Sequence, residues 1–268
     1  MRKIRWLARV LGECITATSR FSPCIPVLSR RLRIANGYPC QITTSSGLRF
    51  EAETYHDLVT AWVIFCRTEY APDAESELIV DIGANIGLFS LWASQHAPAA
   101  RIWAVEPFPQ CAERLAGNIK LNALEDRIQV IHKAVAQSAG SRVMRSTGKT
   151  QSNGLQPPGT AASGEMITVE AISLNDLLMS IIQSSGKATI DFLKIDVEGG
   201  EHEFLQADGL EALECVEAIG IEYHPNGSKE SLFAVLAGHG FELIGDVPAH
   251  KNSGVAHFRR RHRLETRD

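Results

Sequence analysis

The sequence predicts an α/β protein, a mostly parallel sheet with helices on both faces. Three observations carry this. From Leu78 onward, short apolar runs alternate with stretches of helical spacing, the rhythm of strand–helix–strand crossovers. "LIVDIGANIGLFSLWA" (78–93) joins an apolar strand to a helix through Gly83 and Gly87. "DFLKIDVEGGEHEFL" (191–205) is a second buried strand, and it ends in Lys194, Asp196 and Glu198 before a glycine turn. Open α/β sheets keep their ligands at such strand ends.

The 268 residues suit one domain with additions, and 44% hydrophobic with 22% charged content is ordinary for a globular chain. The six cysteines are scattered without a CxxC pair, which argues against a zinc ribbon or disulfide scaffold and predicts a reducing, cytoplasmic setting. No apolar run reaches membrane-spanning length. Residues 1–33 hold eight Arg/Lys and one Glu, and residues 258–268 hold five Arg and two acids, although the whole chain is at −4. The acidic middle excludes broad nucleic-acid binding, while residues 1–33 offer peripheral contact with an anionic membrane as an alternative to docking.

In order along the chain, residues 1–15 read as a short basic amphipathic helix, with Ile4, Leu7, Leu11 and Ile15 on one stripe. "YPCQITTSSGLRFEAET" reads as a hairpin turning at Ser46-Gly47, and residues 55–70 as helical. Strands follow at 78–82, 101–105, 128–132, 190–194, 218–223, 241–245 and 254–259, with helices near 87–95, 109–121, 173–184, 200–207 and 228–238. The Gly/Ser/Thr/Pro-rich stretch from Ser141 to Glu170 reads as one long loop. The divisions are thus 1–70 as a basic helix and hairpin extension, 71–260 as the ligand-binding domain, and 261–268 as a basic tail.

The turn after the first strand lacks the third glycine of the dinucleotide fingerprint, and Asp81 would repel a pyrophosphate. Both count against an NAD-dependent dehydrogenase. Asp81 suits a ligand with a positive end. Glu106, about twenty residues beyond the turn at the end of "RIWAVE", stands where an acidic side chain takes the ribose hydroxyls of an adenosine. Asp81, Gly83, Gly87 and Glu106 together describe a site for S-adenosylmethionine (SAM).

"VDIGANIGLFSLWA", "VEPFP", "HKAVAQSAG", "ISLNDLL" and above all "IDFLKIDVEGGEHEFLQA" resemble the FkbM family of SAM-dependent methyltransferases over roughly Tyr70 to Phe258. The resemblance implies the Rossmann-like class I methyltransferase fold, a seven-stranded sheet with six strands parallel and one antiparallel at its edge. It also implies O-methylation of a hydroxyl on a sugar, glycan or secondary metabolite, and a cofactor site at Asp81, Gly83, Ala84, Asn85, Gly87, Glu106, Pro107 and Ala134.

An alcohol needs alignment and a general base. Asp196 is the first candidate for that base, or for orienting the acceptor. His224, at the end of "IGIEYHP", is the second, since its ordinary pKa near 6.5 suits proton abstraction at neutral pH. Lys194 and Glu198 are further catalytic candidates, with Lys194 read first as the buried partner of a carboxylate and Glu198 first as the residue that fixes the turn. His202 and Glu203 read as solvated. A divalent ion held by Asp196, Glu222 and His224 is the second mechanism. The competing class is a non-catalytic SAM-binding or scaffold protein, which loss of the strand-tip charges would have favoured.

Overall fold

The computed structural model describes residues 12, 14–146, 165–206, 208–250 and 252–261. Most of the expected basic helix at 1–15, the middle of the 141–170 stretch and the tail beyond 261 lie outside them. Residues 14–20 are helical, and they are followed by helix α1 (Cys24–Arg31), strands β1 (Cys40–Thr43) and β2 (Arg49–Ala52), and helix α2 (Tyr55–Trp62). β1 and β2 pair antiparallel around the expected turn. α2 runs directly into a π-helical turn at Val63–Arg67, which Thr68 ends in the left-handed region at φ 53°.

There follow β3 (Leu78–Ile82), α3 (Leu88–His96), β4 (Arg101–Val105), α4 (Pro109–Leu121), β5 (Ile128–Ile131), β6 (Ala134–Ala136), β7 (Gly140–Ser146) and β8 (Glu165–Ser173). The remainder is α5 (Leu174–Ser185), β9 (Ile190–Ile195), α6 (Glu201–Phe204), β10 (Val216–Tyr223), α7 (Lys229–Gly238), β11 (Phe241–His250) and β12 (Ser253–Arg260).

The main sheet has seven strands in the order β11-β12-β10-β9-β3-β4-β5. β12 is antiparallel to both its neighbours, and the pairs from β10 to β5 are parallel. The antiparallel strand is therefore one position in from the edge, which corrects the expected edge placement. The hairpin from β11 folds β12 back into the gap beside β10, leaving β11 outermost. Side chains alternate across the sheet as strand geometry requires. Ile79, Ile102 and Phe192 join one core with α3 and α4, while Leu78, Val80, Leu193 and Ile195 join another with α5 and α7.

The expected long loop is also corrected. Its two ends, β7 and β8, pair antiparallel from Gly140↔Ala171 to Ser146↔Glu165, and β8 pairs with β6 in a second sheet of three strands. The apolar alternation in "SRVMRS" and "EMITVEAIS" is real but short, and the polar stretch between the two hides it.

The amino-terminal extension is docked. Ala17, Phe21, Val27, Phe50 and Trp62 are buried in the same core as Ile79, Leu115 and Phe192. α4 supplies partners for the open edge of β2: Asn122 Oδ1 accepts from Arg49 N at 2.8 Å and Asn118 Oδ1 from Glu51 N at 3.0 Å. Arg114 pairs with buried Asp57 at 2.7 Å, and the same carboxylate completes a capping box with Thr54 at the start of α2. Stray edge donors and a buried acid are thereby satisfied.

Candidate active site

A cavity of about 310 Å³ opens at the carboxyl ends of the central strands. Gly83, Ala84 and Asn85 line it after β3, Glu106 and Pro107 after β4, and Ala134 at β6. Lys194, Asp196 and Glu198 come from the tip of β9, and Glu222 from β10. A second wall includes Thr60, Val63, Ile64 and Tyr70 of the extension and Met144 of β7. Sequence reasoning did not find this second wall.

At the cofactor end, Glu106 is almost fully buried. Its Oε2 accepts from Asn85 N and its Oε1 from Phe108 N, both at 2.8 Å. Each oxygen keeps a second lone pair, so the carboxylate can hold the loop and still take a ligand hydroxyl. Burial pushes its pKa up to about 7, against the pull of those two backbone donors. Gly83 sits at φ +78°, and a Cβ there would stand 1.7 Å from the carbonyl oxygen of Asp196. The first turn and the β9 tip therefore touch backbone to backbone.

Two expected cofactor residues stand behind the wall instead of on it. Asp81 is fully buried, accepts from Ser90 Oγ at 2.7 Å and pairs with Lys194 Nζ at 3.0 Å. The positive group facing Asp81 is thus a lysine of the chain itself. Gly87, at φ +87°, leaves room for Leu115, whose Cδ1 would lie 2.3 Å from an added Cβ; its role is packing of α3 against α4.

Lys194 is held among carboxylates. Its Nζ also lies 3.1 Å from the Gly83 carbonyl and 3.5 Å from Asp196 Oδ2, with the Tyr70 ring at 5.3 Å. Burial alone would lower its pKa, but Asp81 and Asp196 carry it above the ordinary value. It stays charged.

Around Asp196 the carboxyls hold protons tightly. Burial first, then the charge of Asp196, raises Glu222 to about 8 and Glu198 to about 7. Tyr70 OH donates to Glu222 Oε2 at 3.4 Å. Its own pKa is raised well above normal by burial and the nearby acids, so it remains a phenol.

His224 departs from its expected role. Burial would lower its pKa, but the hydrogen bond to Glu201 and the charges of Glu201, Glu222 and Glu198 raise it to about 9. That direction, with carboxylates facing both ring nitrogens, disfavours it as a base. Nor does it line the cavity. It stands behind the acids, its Nε2 at 3.6 Å from Glu198 Oε2 and 3.9 Å from Glu222 Oε1.

Glu198 faces the cavity, and the turn-fixing part given to it belongs to Glu201, whose Oε2 accepts from Gly199 N at 2.9 Å. His202 is buried, not solvated, and donates Nε2–H to the carbonyl of His224 at 3.0 Å, while Glu203 is exposed. His96 and His132 bond the carbonyls of Pro72 and Pro107 at 3.0 Å. Among the described residues no group of three or more His, Cys, Asp or Glu is arranged to hold a metal ion, and no helix is long and apolar enough to cross a membrane.

Residues 81–243 match the family described as Methyltransferase FkbM domain. "Methyltransferase sdnD" of Sordaria araneosa is 31% identical over 193 residues, covering 63% of this chain and 74% of the relative. "31-O-demethyl-FK506 methyltransferase FkbM" of Streptomyces tacrolimicus is 27% identical over 201 residues, again covering 63% and 74%. Among solved structures, M. capricolum TrmK in complex with S-adenosyl-homocysteine aligns with TM-score 0.41 and 12% identity, over 71% of this chain and 66% of that one. The chain spans 64% of the length of one solved structure it matches and 93% of another.

Proposed function

We propose, on the premise that the chain belongs to the FkbM family of SAM-dependent methyltransferases, that it methylates a hydroxyl oxygen of a sugar, glycan or secondary metabolite. The observation that carries this is the placement of Asp196. It is partly exposed in the cavity wall, its carbonyl packs against the Gly83 turn, and Lys194 steadies its carboxylate. The cavity fits the cofactor by its donor set. Glu106 offers carboxylate lone pairs where a ribose would sit, the 83–85 backbone gives a close floor, and the Asp196 carboxylate favours a cation.

When bound, SAM supplies a methyl group on a positively charged sulfur. The chain's own residues do the rest. Asp196 accepts a hydrogen bond from the acceptor hydroxyl, aligns it and takes its proton as the oxygen gains its new bond. Glu222, two strands from the cofactor turn and bonded by Tyr70, orients a second polar group of the acceptor. Val63, Ile64 and Met144 exclude water from the opposite side. The name of the Streptomyces relative specifies O-methylation of its own product, which supports the oxygen as the acceptor atom here.

The test is transfer of labelled methyl from SAM to a panel of sugars, lipid-linked glycans and hydroxylated metabolites. Asp196→Asn should bind SAM normally and turn over about a hundredfold or more slowly, the scale of a positioned base. Wild-type turnover in this variant would remove Asp196 from the role.

A further inference from the structure

Glu201 is the first residue of α6, fully buried, and no role in the reaction falls to it from the sequence. Three N–H groups converge on its two oxygens. Gly199 N donates to Oε2 at 2.9 Å, while His224 donates to Oε1 from its backbone N at 2.9 Å and from Nδ1 at 3.0 Å. One side chain thus joins the turn after β9 to the tip of β10.

The surroundings leave these groups little freedom. The Gly199 carbonyl accepts from Asn226 Nδ2 at 2.8 Å, and the His224 carbonyl accepts from His202 Nε2 at 3.0 Å. The His202 ring lies under Gly227 so closely that a Cβ there would meet it at 2.3 Å. With Nδ1 committed to Glu201, the other ring nitrogen of His224 can only face the cavity acids. Glu198 and Glu222 meet it directly, with Asp196, Lys194 and Tyr70 beyond them.

We propose that Glu201 is a positioning residue of the active site: it holds His224 by Nδ1–H so that Nε2–H faces Glu198 and Glu222 on the cavity wall. A carboxylate is required because all three contacts are donors. A glutamine in its place would turn an NH₂ toward one of them, donor against donor, and a buried donor without an acceptor is costly. The catalytic consequence rests on the O-methylation reading. An imidazolium held behind Glu198 and Glu222 lets several carboxyls share one wall with Asp196 without driving one another out of the cavity.

The experiment uses the full chain labelled with ¹⁵N-histidine and saturated with S-adenosylhomocysteine. Long-range ¹H–¹⁵N spectra should show one Nδ1 proton protected from solvent exchange that His224→Asn removes, which assigns it. Glu201→Ala, which removes both acceptor oxygens, should also lose that protection. A residue serving only the Gly199 turn would leave it in place. Absence of the protected proton in the wild type, or its persistence in Glu201→Ala, overturns the proposal. Should Glu201→Ala fail to fold, His224→Asn and His224→Ala carry the test. Asparagine keeps a donor near the position of Nδ1 and should melt above alanine; equal melting overturns the proposal. Methyl transfer to the hydroxyl panel is scored separately. If no hydroxyl is methylated, the O-methylation reading falls while the spectra still decide the role of Glu201.

Discussion

Glu222 and His224 lie two residues apart at the tip of β10, and both hold protons more tightly in the fold than a free chain would. The direction follows from their pKa values. A carboxyl raised to about 8 adds stability that is complete below its ordinary value and lost as pH rises through about 8. Glu198 acts the same way through about 7, and His224, complete below about 6.5, loses its contribution through about 9. The ligand-free protein should therefore melt lower at pH 9 than at pH 6. Glu222→Gln, which cannot release a proton, should flatten that slope. A melting profile equally steep in both proteins would show that Glu222 does not titrate with folding.

Between elements, the decisive contact is the β3 turn against the β9 tip. Gly83→Ala places a methyl on the Asp196 carbonyl and forces a left-handed backbone on alanine. The backbone conformation alone costs about 1–2 kcal/mol, and the overlap adds to it. Urea unfolding should show a loss of at least that size, and calorimetry should show SAM binding gone, since both walls of the cofactor end shift together. Unchanged affinity would mean that the turn and the tip move independently. This junction was legible in the sequence because its signals are local: apolar runs closed by glycines, with charges two apart. β3, β4 and α4 fall on their expected residues for the same reason. What was not legible depends on partners far away in the chain. The basicity of His224 is set by Glu201, which shares its letter with the neighbouring Glu198 and Glu203. Tyr70 gains meaning only when the extension folds over β10, 152 residues distant. The antiparallel place of β12 is a choice of gap that no strand's own pattern encodes.

At the scale of the whole molecule, extension and sheet share one core. Phe21 is 2% exposed and packs its ring against Trp62 at 6.4 Å and Phe65 at 6.0 Å, directly beneath the π-helical wall of the cavity. Phe21→Ala should cost about 3–5 kcal/mol and weaken SAM binding from outside the site. Urea unfolding should remain a single transition; a separate early step that spares the sheet would make the extension an independent unit. The placing of β12 has a bearing on biosynthesis. β11 is bonded in the sheet only to β12, and β12 is the later of the two in sequence. While the chain is being made, β10 must wait with one edge open, and β11 must wait without its strand partner, until residues 253–260 emerge. An open apolar edge is a template for pairing with other chains. A nascent chain that has emerged as far as β11 and not yet to β12 would thus have its cofactor strands formed and its sheet still adhesive, the moment at which a chaperone has most to do.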